Sequence, residues 1–233
     1  MRIRSFIIAY ALVLAILLFA DRRPGSTQQD RYSHVVDLTD GQTATAPHAS
    51  ASESRTHIIA PDALIPGTWA AGQIPPERLV APLVVMDLNA IDKTAGVEGK
   101  SQISLDDIAA WESHHGMIPQ GAVVAIRRAG EADVLPASDR STRPRIPLPI
   151  ARDAAMFLIE ARYTIGFAVE TPVNLTSDRT LARQLALRGN YVVEGAARFN
   201  SLPATGSLII IAPAKKTIKK PGETPVRILA MVR

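Results

Sequence analysis

Blocks of strand length and blocks of helical period follow one another along most of this chain. LVAPLVVMDL, Leu79 to Leu88, is nearly continuous apolar sequence, which predicts a strand covered on both faces. Ser104 then predicts an N-cap for the helix LDDIAAWESHH, with Asp106 and Asp107 at its positive end and His114 and His115 before Gly116 at its negative end. GAVVAIRRAG, Gly121 to Gly130, is the next strand. Ile150 to Arg162 puts Ala154, Ala155, Leu158 and Ile159 on one helical face, and TIGFAVETP, Thr164 to Pro172, returns as a strand. Ser177 is the expected cap of a second amphipathic helix, DRTLARQLALR, stopped by Gly189. Tyr191 to Glu194, Ser207 to Pro213 and Thr224 to Val232 read as closing strands, and SHVVDLTD, Ser33 to Asp40, as an opening one.

Ahead of these blocks lies a different pattern. Ser5 to Ala20, SFIIAYALVLAILLFA, is an unbroken apolar run between Arg2 and Arg4 on one side and Arg22 and Arg23 on the other. A polar face is missing, so residues 1–23 read as a targeting element, a signal peptide or a membrane anchor, and the protein is expected to be exported or tethered. Such a helix is about 23 Å long, short of a hydrocarbon core of roughly 30 Å, so cleavage and anchoring both stay open. Residues 24–31, PGSTQQDR, form a polar linker, and residues 32–233 form the domain. Gly41 to Ser54 is rich in small residues and predicts a mobile loop in front of the next element.

With 233 residues, one sizeable domain plus a tail is the default. Cysteine is absent, which excludes disulfides, thiolate metal sites and a cysteine nucleophile and leaves His, Asp and Glu as the metal ligands available. The net charge of +4 is mild and lies partly in the N-terminal arginines and in Lys215, Lys216, Lys219 and Lys220. Basic and aromatic residues are not interleaved, so nucleic acid is not an expected partner. The lysine run reads as a solvated turn between strands.

The chemistry concentrates in Glu53 to Pro75, ESRTHIIAPDALIPGTWAAGQIP. Thr56, His57 and Pro61, followed by Gly67, Thr68 and Trp69 and by Ile74 to Leu79, resemble the signature of the cyclase family, the metal-dependent hydrolases that include kynurenine formamidase and isatin hydrolase. That signature runs HxGTHxDxPxH into a Gly/Trp loop and a short IP..L helix. Asp37-Leu38-Thr39, the strand around Val84, the strand ending at Arg128, Glu170 to Val173, Glu194 and the final PVRILA are similar to further family segments in the same order.

The resemblance implies an α/β fold, a mixed sheet closing towards a β-barrel-like layer with helices packed outside. It implies hydrolysis of an N-formyl amide or lactam C–N bond, of the kind met in tryptophan catabolism, on a zinc or manganese ion that makes hydroxide from water near neutral pH. It further implies a homo-oligomer acting on a small-molecule substrate. Carried over position by position, the metal-site residues are Glu53, His57 and Glu194, and Trp69 is the lid residue for an aromatic substrate. The family's first His is Glu53 here, its Gly is Arg55, its ligand Asp is Ile59, its catalytic His is Ala63, and a later His is Ala182.

Three functions therefore follow: a hydrolase with a remodelled metal centre, a non-catalytic descendant that binds or assembles without metal, and a metal-free hydrolase with Glu194 as base. On the second, His57 is a partly buried strand histidine and Glu53 a solvated carboxylate. Adjacent residues on a helix point about 100° apart, so His114 and His115 serve the helix end rather than a metal.

Overall fold

The computed structural model describes residues 32–40, 56–90, 101–128, 145–213 and 223–233. The chain divides into the units Met1–Ser33 and His34–Arg233, and all of the described strands and helices lie in the second. The expectations placed on residues 1–31, on Gly41 to Arg55 and on the lysine run fall outside the described residues. No helix among the described residues is long and apolar enough to cross a membrane.

Eight strands are described: β1 (His34–Asp37), β2 (His57–Ile59), β3 (Val80–Asp87), β4 (Val123–Arg127), β5 (Gly166–Val169), β6 (Tyr191–Glu194), β7 (Ser207–Pro213) and β8 (Glu223–Val232). They pair in the order β1-β8-β2-β6-β5-β4-β3-β7, and β7 also pairs with β8. Seven of them thus close into a mixed barrel, and β1 pairs with β8 on the same edge as β2, farther along the strand. The expected closing sheet is borne out. Its parallel half is β3-β4-β5-β6, and the antiparallel half is made by β7, β8 and β2. Parallel neighbours need crossovers, and three helices supply them: α1 (Leu105–His115), α2 (Arg152–Ala161) and α3 (Arg179–Leu187).

Period-two alternation along the strands sorts the core into two compartments. Leu83, Val85, Val123, Ala125, Ala168, Val193, Ile209 and Ile228 belong to the cluster that fills the barrel. Their sequence neighbours Val84, Met86, Val124, Ile126, Phe167 and Val192 join Ile108, Trp111, Ala155, Leu158, Leu181 and Leu185 from the helices in the second cluster. This explains why the parallel strands are apolar along most of their length. One side of each faces the barrel interior and the other faces a helix.

The helix starts follow local chemistry. Ser104 accepts from the Asp107 amide while Asp107 accepts from the Ser104 amide at 2.7 Å, a reciprocal cap as predicted. The cap of α3 is a correction: it is Asp178, whose Oδ1 accepts from the amides of Thr180 and Leu181 at 3.1 and 3.0 Å. Ser177 instead ends a 3-10 turn over Leu175–Ser177. An aspartate also brings negative charge to the helix N-terminus, which a serine does not. The IP..L helix is likewise reduced to one 3-10 turn, Pro76–Arg78, because its first residue and the one before it are both proline and β3 begins two residues after it.

Helices α1 and α2 are joined by Arg162, which grips both oxygens of Glu112 at 2.7 Å and lies over the Phe157 ring. The guanidinium holds the Glu112 carboxyl below the usual glutamate range, with the Ile118 amide adding to it against the effect of burial. A depressed folded value contributes stability above the unfolded pKa, about 4.3, that is lost as the pH falls through the folded one. Thermal unfolding between about pH 6 and pH 3 is therefore expected to show a loss below pH 4 that is smaller in Arg162→Met. Identical acid profiles for the two proteins would remove this pair from the acid response.

Candidate functional site

His57 opens β2 and Glu194 closes β6, and the antiparallel register sets the two directly opposite each other. Directly opposed residues point to the same side of a sheet. That side is the helix side, since Ile59, two residues after His57, and Val192, two before Glu194, both belong to the cluster beneath the helices. Thr56 secures this register. Its buried hydroxyl donates to the Gly195 carbonyl at 2.8 Å and accepts from the Asp40 amide at 2.8 Å.

Glu194 is 2% exposed. A carboxylate buried to that degree needs compensation, because its desolvation costs on the order of several kcal/mol. Arg145 contributes compensation, its Nη1 donating to Oε2 at 3.3 Å and its Nη2 to Oε1 at 3.2 Å. The Val173 amide adds a third donor to Oε2 at 3.0 Å. The Val173 carbonyl accepts from Arg145 Nη1 at 2.9 Å, so one residue's backbone is tied to both members of the pair.

Three more positions singled out in the sequence fall in or against the same cluster. Ile59 and Ala182 are each 7% exposed and belong to it, and Ala63 packs against it. The 3-10 turn Pro61–Ala63 touches α3, the helix that carries Ala182. Five positions at which the resemblance implies polar chemistry thus surround one compartment, and three of them are apolar. Cavities lined by residues of this cluster include one of about 230 Å³ between Leu148, Ile150, Leu175 and Leu181 and one of about 10 Å³ beside Val173, between Leu88, Ile126, Val169 and Glu170.

Glu53 falls outside the described residues. Among the described residues, no group of three or more His, Asp or Glu converges as a metal site. Trp69 is not brought to Glu194. It lies at the other end of β6, where its ring packs on Gly189 and the Arg78 guanidinium stands 5.5 Å from its centre. Gly189 has φ +68°, and a Cβ there would come within 2.6 Å of the indole, so the glycine is required twice over. Arg78 also donates to the Gly189 carbonyl at 3.0 Å, and the Tyr191 hydroxyl donates to the Arg78 carbonyl at 2.6 Å. With these contacts made, Trp69 is still 38% exposed. His114 and His115 are exposed at the end of α1, where His114 Nδ1 meets the Ala110 carbonyl at 2.7 Å, in keeping with a helix-end role.

Arg145 is the member of the site that sequence reasoning missed. It stands at the end of a polar stretch that reads as surface loop, and 49 residues separate it from Glu194. The signal that it could have given is a cation directly before an apolar segment, which is too common to single it out.

Comparison with known proteins places this architecture. The family model described as "Putative cyclase" matches residues 26–174. Isatin hydrolase of Roseibium aggregatum is 30% identical over 195 residues, covering 77% of this chain and 71% of that protein. Isatin hydrolase A from Ralstonia solanacearum superposes with a TM-score of 0.67 at 25% identity, over 86% of this chain and 92% of the other. Isatin hydrolase A from Labrenzia aggregata bound to benzyl benzoate gives 0.63 at 25% identity, over 96% and 99%. The fold alone is shared, at 21% and 22% identity, with chains described as metal-dependent hydrolases. A shared closed barrel, a family match over more than half the sequence and 30% identity to a relative covered over most of its length lead to one conclusion: this chain belongs to the cyclase family and is related to isatin hydrolase.

Proposed function

We propose that this chain keeps the cyclase-family scaffold as a binding or assembly protein and has given up metal-dependent hydrolysis of amide or lactam C–N bonds. One observation carries the proposal: Ile59, Ala63 and Ala182 sit around a single apolar compartment whose buried carboxylate, Glu194, is held by Arg145. A catalytic zinc or manganese needs about three N or O ligands and an open position for water. Isoleucine and alanine have no donor atoms, and a guanidinium 3.2 Å from Glu194 repels a second cation. The described residues therefore do not fit a divalent metal. On this reading the partner is a small molecule or a second copy of the chain. Export or tethering through residues 5–20 belongs to the same proposal.

A second reading is favoured by the cross-strand pairing of His57 with Glu194, which puts an imidazole and a carboxylate side by side. With Glu53 as a third donor these would form a remodelled metal centre in a hydrolase. For such an enzyme, isatin is a better substrate candidate than N-formylkynurenine, because the 30% identical relative is an isatin hydrolase.

Metal analysis of the purified protein separates the two, combined with assays on isatin and on N-formylkynurenine in added zinc or manganese. The expected outcome is metal far below one equivalent and turnover no faster than the uncatalysed rate. Stoichiometric metal, with turnover abolished in His57→Ala, would establish the second reading and end the first.

A further inference from the structure

We propose that the cavity between the first turns of α2 and α3 binds a small apolar molecule carrying one carboxylate, with its apolar part against the aliphatic wall and its carboxylate on Arg152. None of His57, Ile59, Ala63, Ala182 and Glu194 lines this cavity, so the inference stands whether or not their compartment holds a metal.

The cavity measures about 230 Å³, and Leu148, Ile150, Leu175 and Leu181 supply its apolar wall. An aliphatic cavity of roughly 150 Å³ accepts benzene, so this one has room for a single ring with a short substituent, about ten heavy atoms in all. Backbone presets the walls. The Ile103 amide donates to the Pro149 carbonyl at 3.1 Å, the Ala151 amide to the Ile103 carbonyl at 2.8 Å, and the Asn174 amide to the Ile146 carbonyl at 2.7 Å. Both segments that frame the space are thus fixed, and a site formed before its ligand arrives loses little ordering entropy on binding.

The polar part of the lining selects the ligand's polar group. Asp178 is already engaged through both oxygens: Oδ1 accepts from the Thr180 and Leu181 amides, and Oδ2 accepts from Arg152 Nε at 2.6 Å. Asn174 Oδ1 is taken as well, by the Thr176 amide and hydroxyl. Arg152 differs from these. Asp178 orients its guanidinium through Nε, while neither Nη makes a hydrogen bond among the described residues. The two Nη groups form a fork of parallel donors spaced for the two oxygens of a carboxylate. The neighbouring acid, Asp153, accepts from the Ala154 amide and does not line the cavity. With 56% of the Arg152 side chain exposed, the fork contributes selectivity and the apolar wall most of the affinity.

The experiment is a calorimetric titration of the intact protein with phenylacetate, its neutral counterpart phenylacetamide, and acetate, repeated on Arg152→Met, Ala151→Phe and Arg183→Met. Phenylacetate is expected to bind one to one with a dissociation constant on the order of 1 mM or below, and acetate, which has no ring, not detectably. Phenylacetamide is expected to bind about 5-fold more weakly than phenylacetate, a preference that Arg152→Met abolishes by weakening phenylacetate alone. Ala151 lines the cavity on extended backbone that any residue adopts, so Ala151→Phe fills the space and is expected to lose both ligands. Arg183→Met makes the same charge change at an exposed position of α3 outside the cavity and is expected to keep both. If Ala151→Phe does not fold, Arg152→Met still decides, because its pair is a surface one and Asp178 keeps both amides of the α3 cap. No saturable phenylacetate binding up to about 10 mM overturns the inference, as does equal affinity for the acid and the amide. Phenylacetate binding that is unchanged in Arg152→Met or in folded Ala151→Phe, or that weakens equally in Arg183→Met, overturns it too.

Discussion

Ile59→Asp is expected to destabilise this protein by about 4 kcal/mol or more, even though it installs the residue type that the family pattern has there. Truncating a buried isoleucine costs roughly 2–5 kcal/mol, and an unpartnered carboxylate in an apolar cluster adds a desolvation penalty. Ile59 lies between Val192 on β6 and Glu223 on β8 in the sheet register, with its side chain in the cluster beneath the helices. For a domain of this size the thermal midpoint should fall by at least about 8 °C. The loss should shrink in acid, because a protonated carboxyl is cheaper to bury. Scanning calorimetry with and without zinc reads the result. An aspartate variant that keeps its midpoint and gains a stoichiometric zinc ion would show that a ligand cage survives around this position, contrary to the proposal.

Gly166→Ala is expected to cost about 2–4 kcal/mol, a large effect for one methyl group. Gly166 stands opposite Tyr191 in the β5–β6 register. A Cβ there would lie 2.6 Å from Tyr191 Cε2, 2.7 Å from Cδ2 and 2.9 Å from the Tyr191 carbonyl oxygen. The ring cannot yield easily. It is fully buried, and its hydroxyl is bound to the Arg78 carbonyl at the far side. Burial also raises the phenol's pKa well above its ordinary value, so it stays neutral and keeps donating. Part of the contact is with backbone, which no rotamer change relieves. The usual gain from replacing glycine, about 0.4–1 kcal/mol through the unfolded chain, is too small to offset this. Denaturant unfolding should show a lower midpoint with an unchanged slope. A variant as stable as the native protein would mean that β5 and β6 can separate locally without cost.

These two positions show what was legible beforehand. The apolar run around Val84 predicted a strand buried on both faces, and it is one, because the barrel fills one side and the helices cover the other. The Ser104 cap was readable for the same local reason, a hydroxyl three residues before an acid. The Ser177 cap failed because the adjacent Asp178 is an equally good cap, and a 3-10 turn took the serine. The packing of Trp69 on Gly189 was not legible, because the glycine is 120 residues away in sequence and offers no side chain to signal the contact.

Local pattern and residue type were enough, in this protein, to determine most of its elements, their order and the absence of donor atoms in the side chains of residues 59, 63 and 182. These depend on periodicity and on what each side chain can or cannot coordinate, and neither changes on folding. Tertiary structure alone decided that His57 and Glu194 face each other, that the three apolar positions surround the same compartment, and that Arg145 holds the buried acid. Each of those facts is set by strand register and by a cross-chain contact, and a charge has no preferred partner until the fold has excluded the water that would otherwise solvate it.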